Sequence, residues 1–182
     1  MDNEPFSIRD GAPGDIAAIV RFIFQHGPNE WNYLPEDGVR ENVGNIATGK
    51  TRAVLAFADG ELIGVVTYET GHRYPQYQPP GRREAEHGYL SEAVVHRAYT
   101  GQGIGTRLLH TAIERLFQQG MREVYTMRHK DNIPSRRMME KCGMEVIDEY
   151  YDPDIRPTGS RHTVITRIIA KEDKSDAYLR QH

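Results

Sequence analysis

Cysteine is almost absent: Cys142 is the only one among 182 residues, so no intrachain disulfide can form. That excludes a disulfide-stapled secreted scaffold and a cysteine-based zinc site, both of which need several thiols. Long apolar runs are absent too, and none approaches the roughly 18 residues of a membrane-spanning helix. The first residues, Met1-Asp2-Asn3-Glu4-Pro5, lack the basic and apolar stretches of a secretory leader. A cytoplasmic location is therefore expected. Neither charge sign dominates: 23 Lys and Arg face 26 Asp and Glu, a net charge of −3. Such a balance supplies no general drive toward nucleic acid or an anionic membrane, and neither is expected as a partner. The 8 histidines form no His-x-His or His-x-x-x-His pair, so no metal site is expected. What is present is 38% hydrophobic and 27% charged residues, enough apolar material for one globular domain of ordinary size.

Periodicity divides the chain into short strands and helices. Phe6 to Arg9 alternates as a first strand. Pro13-Gly14-Asp15 opens a helix, with Asp15 as the expected cap, and Ile16, Ile19, Val20, Ile23 and Phe24 form one face up to Gly27-Pro28. A weaker helix follows Pro35, with Val39, Val43, Ile46 and Ala47 on one side. Arg52–Ala58 and Glu61–Thr70 are β-rich runs joined by Asp59-Gly60, a strong hairpin signal. Gly71 to Glu86 is a proline-containing excursion, long for a hairpin connection. Further strands are expected at Tyr89–Val95, Glu123–Arg128, Val146–Tyr150 and Thr163–Ile169, and a short helix at Pro134–Cys142. Residues 1–170 read as one domain and 171–182 as a polar tail.

The most informative stretch runs from Val94 to Leu109. A β-branched run enters a turn with glycines at 101, 103 and 105. A helical face of Ile104, Leu108, Leu109, Ala112, Ile113, Leu116 and Phe117 follows, and Gly120 stops it. The first turn of a helix has four N–H groups without intrahelical partners and carries the positive end of the helix dipole. Glycines there let a phosphate approach those donors. A glycine-rich turn with no ligand is the simpler alternative on this stretch alone.

Tyr99-Thr100-Gly101-Gln102-Gly103-Ile104-Gly105 resembles the acyl-CoA loop of the GCN5-related N-acetyltransferases, the GNAT family, with Thr100 where Arg or Gln is usual. Downstream, Asn132-Ile133-Pro134-Ser135-Arg136-Arg137-Met138-Met139-Glu140-Lys141-Cys142-Gly143-Met144 is similar to the same family's Asn-x-x-Ala/Ser and Tyr-Glu-Lys-x-Gly-Phe segment. The resemblance implies a single α/β domain with helices on both faces of a mixed, mostly antiparallel sheet. A parallel strand pair would splay apart around Glu92–Val95 and Tyr125–His129. It further implies acetyl-CoA as co-substrate. The backbone of Gly101, Gln102, Gly103, Ile104, Gly105 and Thr106 would meet its pyrophosphate. Ala93, Val94 and Val95 would pair with its pantetheine arm, and Asn132 and Ser135 would lie near that arm.

Acyl transfer to an amine needs a group to take the amine's proton and donors for the developing oxyanion. Glu92, on the central strand, is the expected base, because similar acetyltransferases carry a carboxylate there; Glu86 and His87 are the runners-up. The family's usual acid is a tyrosine at the position of Met139, and methionine cannot donate a proton. Tyr99, Tyr125, Tyr150 and Tyr151 are the alternatives, together with water or unassisted departure. Cys142 reads as a packing residue. Arg128, Lys130, Arg136 and Arg137 form a basic cluster in sequence, either a solvated face or a phosphate contact. Trp31 and Tyr33 read most simply as helix-packing aromatics. The acceptor would enter between His26–Leu34 and the Gly71–Glu86 loop, which bring Trp31, Tyr33, Tyr74, Tyr77, Arg73, Arg82 and Arg83. That loop's composition also suits a homodimer contact.

Gly44-Asn45-Ile46-Ala47-Thr48-Gly49-Lys50-Thr51 fits the nucleotide-binding G-x-x-x-x-G-K-[ST] pattern. That pattern requires a strand before it and a helix after it. Here the order is reversed, and the segment reads as a helix end followed by a strand. The expected activity is therefore transfer of acetyl from acetyl-CoA to a primary amine of a small molecule, by direct attack in a ternary complex. A non-catalytic acyl-CoA-binding module of the same fold is the alternative that Met139 keeps open.

Overall fold

In a computed structural model, residues 5–171 are described. Apart from Lys171, the expected polar tail lies outside them. The chain forms one α/β domain around a seven-stranded sheet. In chain order the elements are β1 (Ser7–Asp10), α1 (Ile16–His26), α2 (Glu36–Gly44), β2 (Thr51–Ala58), β3 (Glu61–Gly71) and β4 (His87–Val95), followed by α3 (Ile104–Gln118), β5 (Glu123–His129), α4 (Ile133–Lys141), β6 (Glu145–Tyr151) and β7 (His162–Ile169). The spatial order of strands is β1-β2-β3-β4-β5-β7-β6. Every neighbouring pair is antiparallel except β4 and β5.

Helices cover both faces of the sheet. On one side α1 and α2 pack Ile19, Ile23, Val39 and Val43 against Ala53, Leu55, Val65 and Val94. On the other, α3 and α4 pack Leu108, Leu109, Ala112, Leu116 and Met139 against Val54, Ala56, Val66 and Leu90. Strand β2 thus buries alternate residues in different layers, which is why it reads as a continuous apolar run rather than an alternating one. Leu108 and Leu116 are fully buried. Truncating either to alanine would cost about 2–5 kcal/mol.

Two local expectations are corrected. Asp15 holds the N-cap position of α1 as expected, but its side chain does not cap the helix; the carboxylate turns back to accept from Ala12 N at 2.8 Å and to pair with Arg9. The helix after Pro35 stops at Gly44 and tightens into a 3-10 turn, Asn45–Thr48, which leaves Ala47 exposed. Gly49 then takes a left-handed conformation and β2 begins at Thr51, so no helix follows Lys50 and the segment lacks the geometry of a nucleotide-binding loop.

Candidate active site

Strands β4 and β5 pair only at Gly88–Val124 and Tyr89–Tyr125. Beyond them a single side-chain link remains, Thr126 Oγ1 donating to the Leu90 carbonyl at 2.9 Å. The strands then part, leaving a cleft of about 250 Å³. Its walls come from β4, β5, the start of α4, residues 31–35, Arg73 and Arg156.

Glu92 lies in this cleft. The pairing of β3 with β4 slips between Val66 and Tyr68, so Thr67 faces both Ser91 and Glu92. A bulge of this kind re-aims side chains. As a result consecutive residues Ser91, Glu92 and Ala93 all line the cleft, which strict alternation would forbid. The bulge is pinned from α2. Glu92 N donates to Thr67 Oγ1 at 3.0 Å, and Thr67 Oγ1 donates to Asn42 Oδ1 at 3.2 Å. Asn42 Nδ2 reaches Ser91 Oγ at 3.5 Å. Burial pushes the Glu92 carboxyl up to about 7, placing its proton exchange at neutral pH.

After β4 the chain makes a 3-10 turn, Arg97–Tyr99, and reaches the glycines. Gly101 and Gly103 have φ of 80° and 79°, the left-handed region in which glycine carries no steric cost. Gly103 is the N-cap of α3 and supplies no side-chain cap to the helix. A Cβ at either glycine would meet nothing within 4 Å, so the turn presents its backbone to open space. Gly101, Gln102 and Gly103 are exposed, while Ile104 is buried and anchors the helix start. A Cβ at Gly105 would lie 2.8 Å from Met138 Sδ and 3.3 Å from Val95 Cγ2. The first turn of α3, the end of β4 and α4 therefore meet at one point. Uncapped N–H donors at the positive end of a 15-residue helix, with no side chain over them, fit a pyrophosphate.

Asn132 is the N-cap of α4, its Oδ1 accepting from Ser135 N at 3.1 Å. Its Nδ2 donates to Asn32 Oδ1 at 3.4 Å, tying α4 to the 31–35 wall. Both Asn132 and Ser135 line the cleft, as does Ala93. Val94 is buried under α1 and α2, and Val95 packs toward α3. On the β5 side the edge of β4 from Leu90 onward has no strand partner.

Several other candidates are placed elsewhere. Glu86 is exposed ahead of β4. His87 is fully buried, accepts from Tyr74 N at 2.9 Å through Nε2, and burial lowers its pKa. Tyr99, Tyr125, Tyr150 and Tyr151 do not line the cleft; the tyrosines that do are Tyr33 and Tyr89. Tyr125 is fully buried with its hydroxyl donating to Gln78 Oε1 at 2.6 Å. Met139 is 5% exposed and forms part of the cleft floor. Cys142 donates to the Thr106 carbonyl at 3.5 Å, and burial pushes its thiol up to about 11, so it is no nucleophile at neutral pH. The basic cluster of the sequence is dispersed. Arg128 is buried in the cleft wall, whereas Lys130 pairs with Glu149 and Arg136 with Glu140.

The acceptor side is more mixed than expected. Trp31 and Tyr33 line the cleft instead of filling a helix interface, with Trp31 tilted on His129 at 4.7 Å between ring centroids. Arg73 also lines it, its guanidinium 4.0 Å over the Tyr89 ring. Arg82 instead makes a bidentate bond to buried Glu123, and Tyr74 and Tyr77 pack beside Tyr89 and Tyr125. Sequence reasoning missed Asn42, Thr67, Tyr89 and Arg156. None of these belongs to a motif, and Arg156 sits in a polar connection between two strands.

A sequence profile of the Acetyltransferase (GNAT) family matches residues 17–144. Among solved structures, a GNAT-family acetyltransferase from Streptococcus pneumoniae is 19% identical, with a TM-score of 0.69 over 91% of this chain and 99% of that one. YncA of Salmonella typhimurium, a putative acetyltransferase solved with its cofactor acetyl-CoA, is 17% identical, with a TM-score of 0.70 over 93% and 96%. Naa50 of Arabidopsis thaliana, solved with a CoA-peptide bisubstrate analogue, is 20% identical, with a TM-score of 0.67 over 92% and 100%. The sequence has no match among curated proteins. The overall fold is that of the GNAT acetyltransferases among these structures. The chain belongs to the GNAT acetyltransferase family.

Proposed function

We propose that this protein is an N-acyltransferase that moves acetyl from acetyl-CoA to the primary amine of a small molecule. The observation that carries the reading is Glu92. It is a carboxylate with a pKa of about 7 in the cleft between the splayed strands, on the strand that leads to the open glycine turn.

The residues divide the work by position. Backbone N–H groups of Gly101 to Thr106 hold the pyrophosphate, and the unpaired edge of β4 at Ala93–Val95 takes the amides of the pantetheine arm. Asn132 and Ser135 flank that arm at the start of α4. When bound, acetyl-CoA supplies the activated acyl group. Glu92 accepts the proton of the incoming ammonium, directly or through one water, and so presents a free amine to the thioester. Positioning both partners in one cleft makes a covalent acyl-enzyme unnecessary. No side chain need protonate the departing sulfur: the attacking nitrogen sheds a second proton as it becomes the amide, and the thiolate, whose thiol ionises at about pH 8.5, takes it up. A methionine at position 139 is compatible with that chemistry.

Met139 also supports a second reading, a non-catalytic acyl-CoA-binding module. Incubation with acetyl-CoA and a panel of primary amines, followed by free thiol, separates the two. Amine-dependent thiol release is expected; acetyl-CoA binding without it would leave the binding module standing.

A further inference from the structure

The cleft around Glu92 runs into a second cavity of about 360 Å³, walled by residues 29–35 and 155–158. Trp31, Tyr33, His129 and Arg156 line both. Arg156 is 4% exposed. Its Nε donates to Thr163 Oγ1 at 3.0 Å and its Nη1 to the Trp31 carbonyl at 3.4 Å. Among the described residues its second terminal nitrogen has no hydrogen-bond partner and the guanidinium forms no ion pair. Asp152 lies near enough for its charge to favour the guanidinium, but its link to Arg156 runs through the Thr163 hydroxyl, which donates to one carboxylate oxygen at 2.8 Å.

The other two arginines of the cleft have contacts of their own. Arg73 covers the Tyr89 ring and reaches Glu69 at 3.7 Å. Arg128 donates through Nη1 to the carbonyls of His129 and Lys130, but it forms no ion pair among the described residues and its Nε has no partner. Among the described residues, Glu92 is the only carboxylate lining the cleft, against the guanidiniums of Arg73, Arg128 and Arg156. A buried cation with no direct ion pair is costly, and an anionic ligand relieves that cost. A guanidinium suits a carboxylate in particular, because two of its N–H groups match the two oxygens. A second ammonium on the acceptor would instead face this excess of positive charge.

We infer that the acceptor is an amine bearing a carboxylate, of amino-acid type, and that Arg156 is the residue that selects it. This rests on the acyltransferase reading above. The amine lies at Glu92, the carboxylate at Arg156, and the body of the molecule against Trp31 and Tyr33. Arg156 takes no part in the proton transfer.

The test uses matched pairs that differ only in the carboxylate: phenylalanine and phenethylamine, leucine and isopentylamine, tyrosine and tyramine. Thiol release is measured with acetyl-CoA for the wild type, Arg156→Gln and Arg156→Lys. The amino acid of a pair is expected to exceed its amine in kcat/KM by about tenfold or more. Arg156→Gln should erase that ratio through the amino acid's KM, leaving the amine's KM and that of acetyl-CoA unchanged. Arg156→Lys, which keeps the charge without the fork, should lie between, and it serves alone if the glutamine variant fails to fold. Equal turnover within the pairs, or an equal loss for both members in the variants, would overturn the inference and leave acyl transfer intact. If no amine releases thiol, the acyltransferase reading falls, and calorimetry with N-acetylphenylalanine decides the anion site. Binding weakened about tenfold or more by Arg156→Gln upholds it, and no binding overturns it.

Discussion

The two sides of the cleft are made in different ways. The proposed cofactor side is nearly contiguous: the end of β4, the glycine turn and the first turn of α3 span residues 93–106, joined by Asn132 and Ser135 at the start of α4. Its functional groups are mainly backbone N–H and C=O, exposed by glycines and by a strand edge without a partner. The proposed acceptor side gathers Trp31, Arg73 and Arg156 from three connections far apart in the chain, and its functional groups are side chains. A backbone site depends on where side chains are missing, which a glycine pattern announces. A side-chain site depends on which distant loops come together, which no local pattern announces.

The sharpest test falls between the two sides, on Glu92. Glu92→Gln should lower the rate about 10²-fold or more while leaving CoA affinity unchanged. In the wild type, kcat/KM should rise with pH through about 7 as the carboxyl deprotonates, and this limb should vanish in the variant. A variant that turns over normally at every pH would reduce Glu92 to a strand residue.

The same substitution should raise stability. The folded Glu92 holds its proton to about pH 7, whereas the unfolded group releases it near its ordinary value of 4.5. The native state therefore binds more protons over that window, and stability falls as pH rises through it. Glu92→Gln removes that loss, so the variant should exceed the wild type by about 1–3 kcal/mol at pH 8 and match it near pH 4. Denaturant unfolding at the two pH values checks the sign; equal stability at pH 8 would mean that the carboxylate is solvated.

Breaking the cofactor side alone calls for Gly103→Val. The branched side chain would occupy the open face of the turn and strain a φ of 79°. CoA binding should weaken by at least about tenfold, or 1.4 kcal/mol, with the acceptor's KM unaffected. Unchanged affinity in a folded variant would move the pyrophosphate elsewhere.

The smallest effect belongs to Arg73→Ala on the acceptor side. Arg73 is exposed and already engaged with Tyr89 and Glu69, so the acceptor's KM should rise only about two- to fivefold. A larger rise than for Arg156→Gln would exchange the roles of the two arginines. Deleting residues 74–80 would not probe this side cleanly, because it removes buried Gln78 and the Tyr74 packing against Tyr89 and Tyr125.

Legibility followed the same division. Hydrophobic period, the Asp-Gly hairpin and the glycine turn located the strands and helices to within a few residues, because each rests on contacts between near neighbours. Asp15 was placed correctly at the N-cap of α1, but its side chain does not bond the helix because Arg9 and Ala12 N compete for its carboxylate. Trp31 was misread as helix packing because its partner His129 belongs to β5, on the far wall of the cleft.

By itself the sequence determined the α/β architecture, the position of the glycine turn that opens α3 and the placement of a carboxylate on the central strand. These follow from spacing, glycine and residue type, all local properties of the chain. Only the tertiary structure decided that β4 carries a bulge held by Asn42 and Thr67, turning Ser91 and Glu92 into the cleft together. It alone decided that Glu92 is buried enough to titrate near neutrality and that Arg156 is enclosed in the same cleft with no direct ion pair among the described residues. Desolvation and charge pairing depend on what surrounds a group in space, and those surroundings come from segments that the chain brings together only on folding.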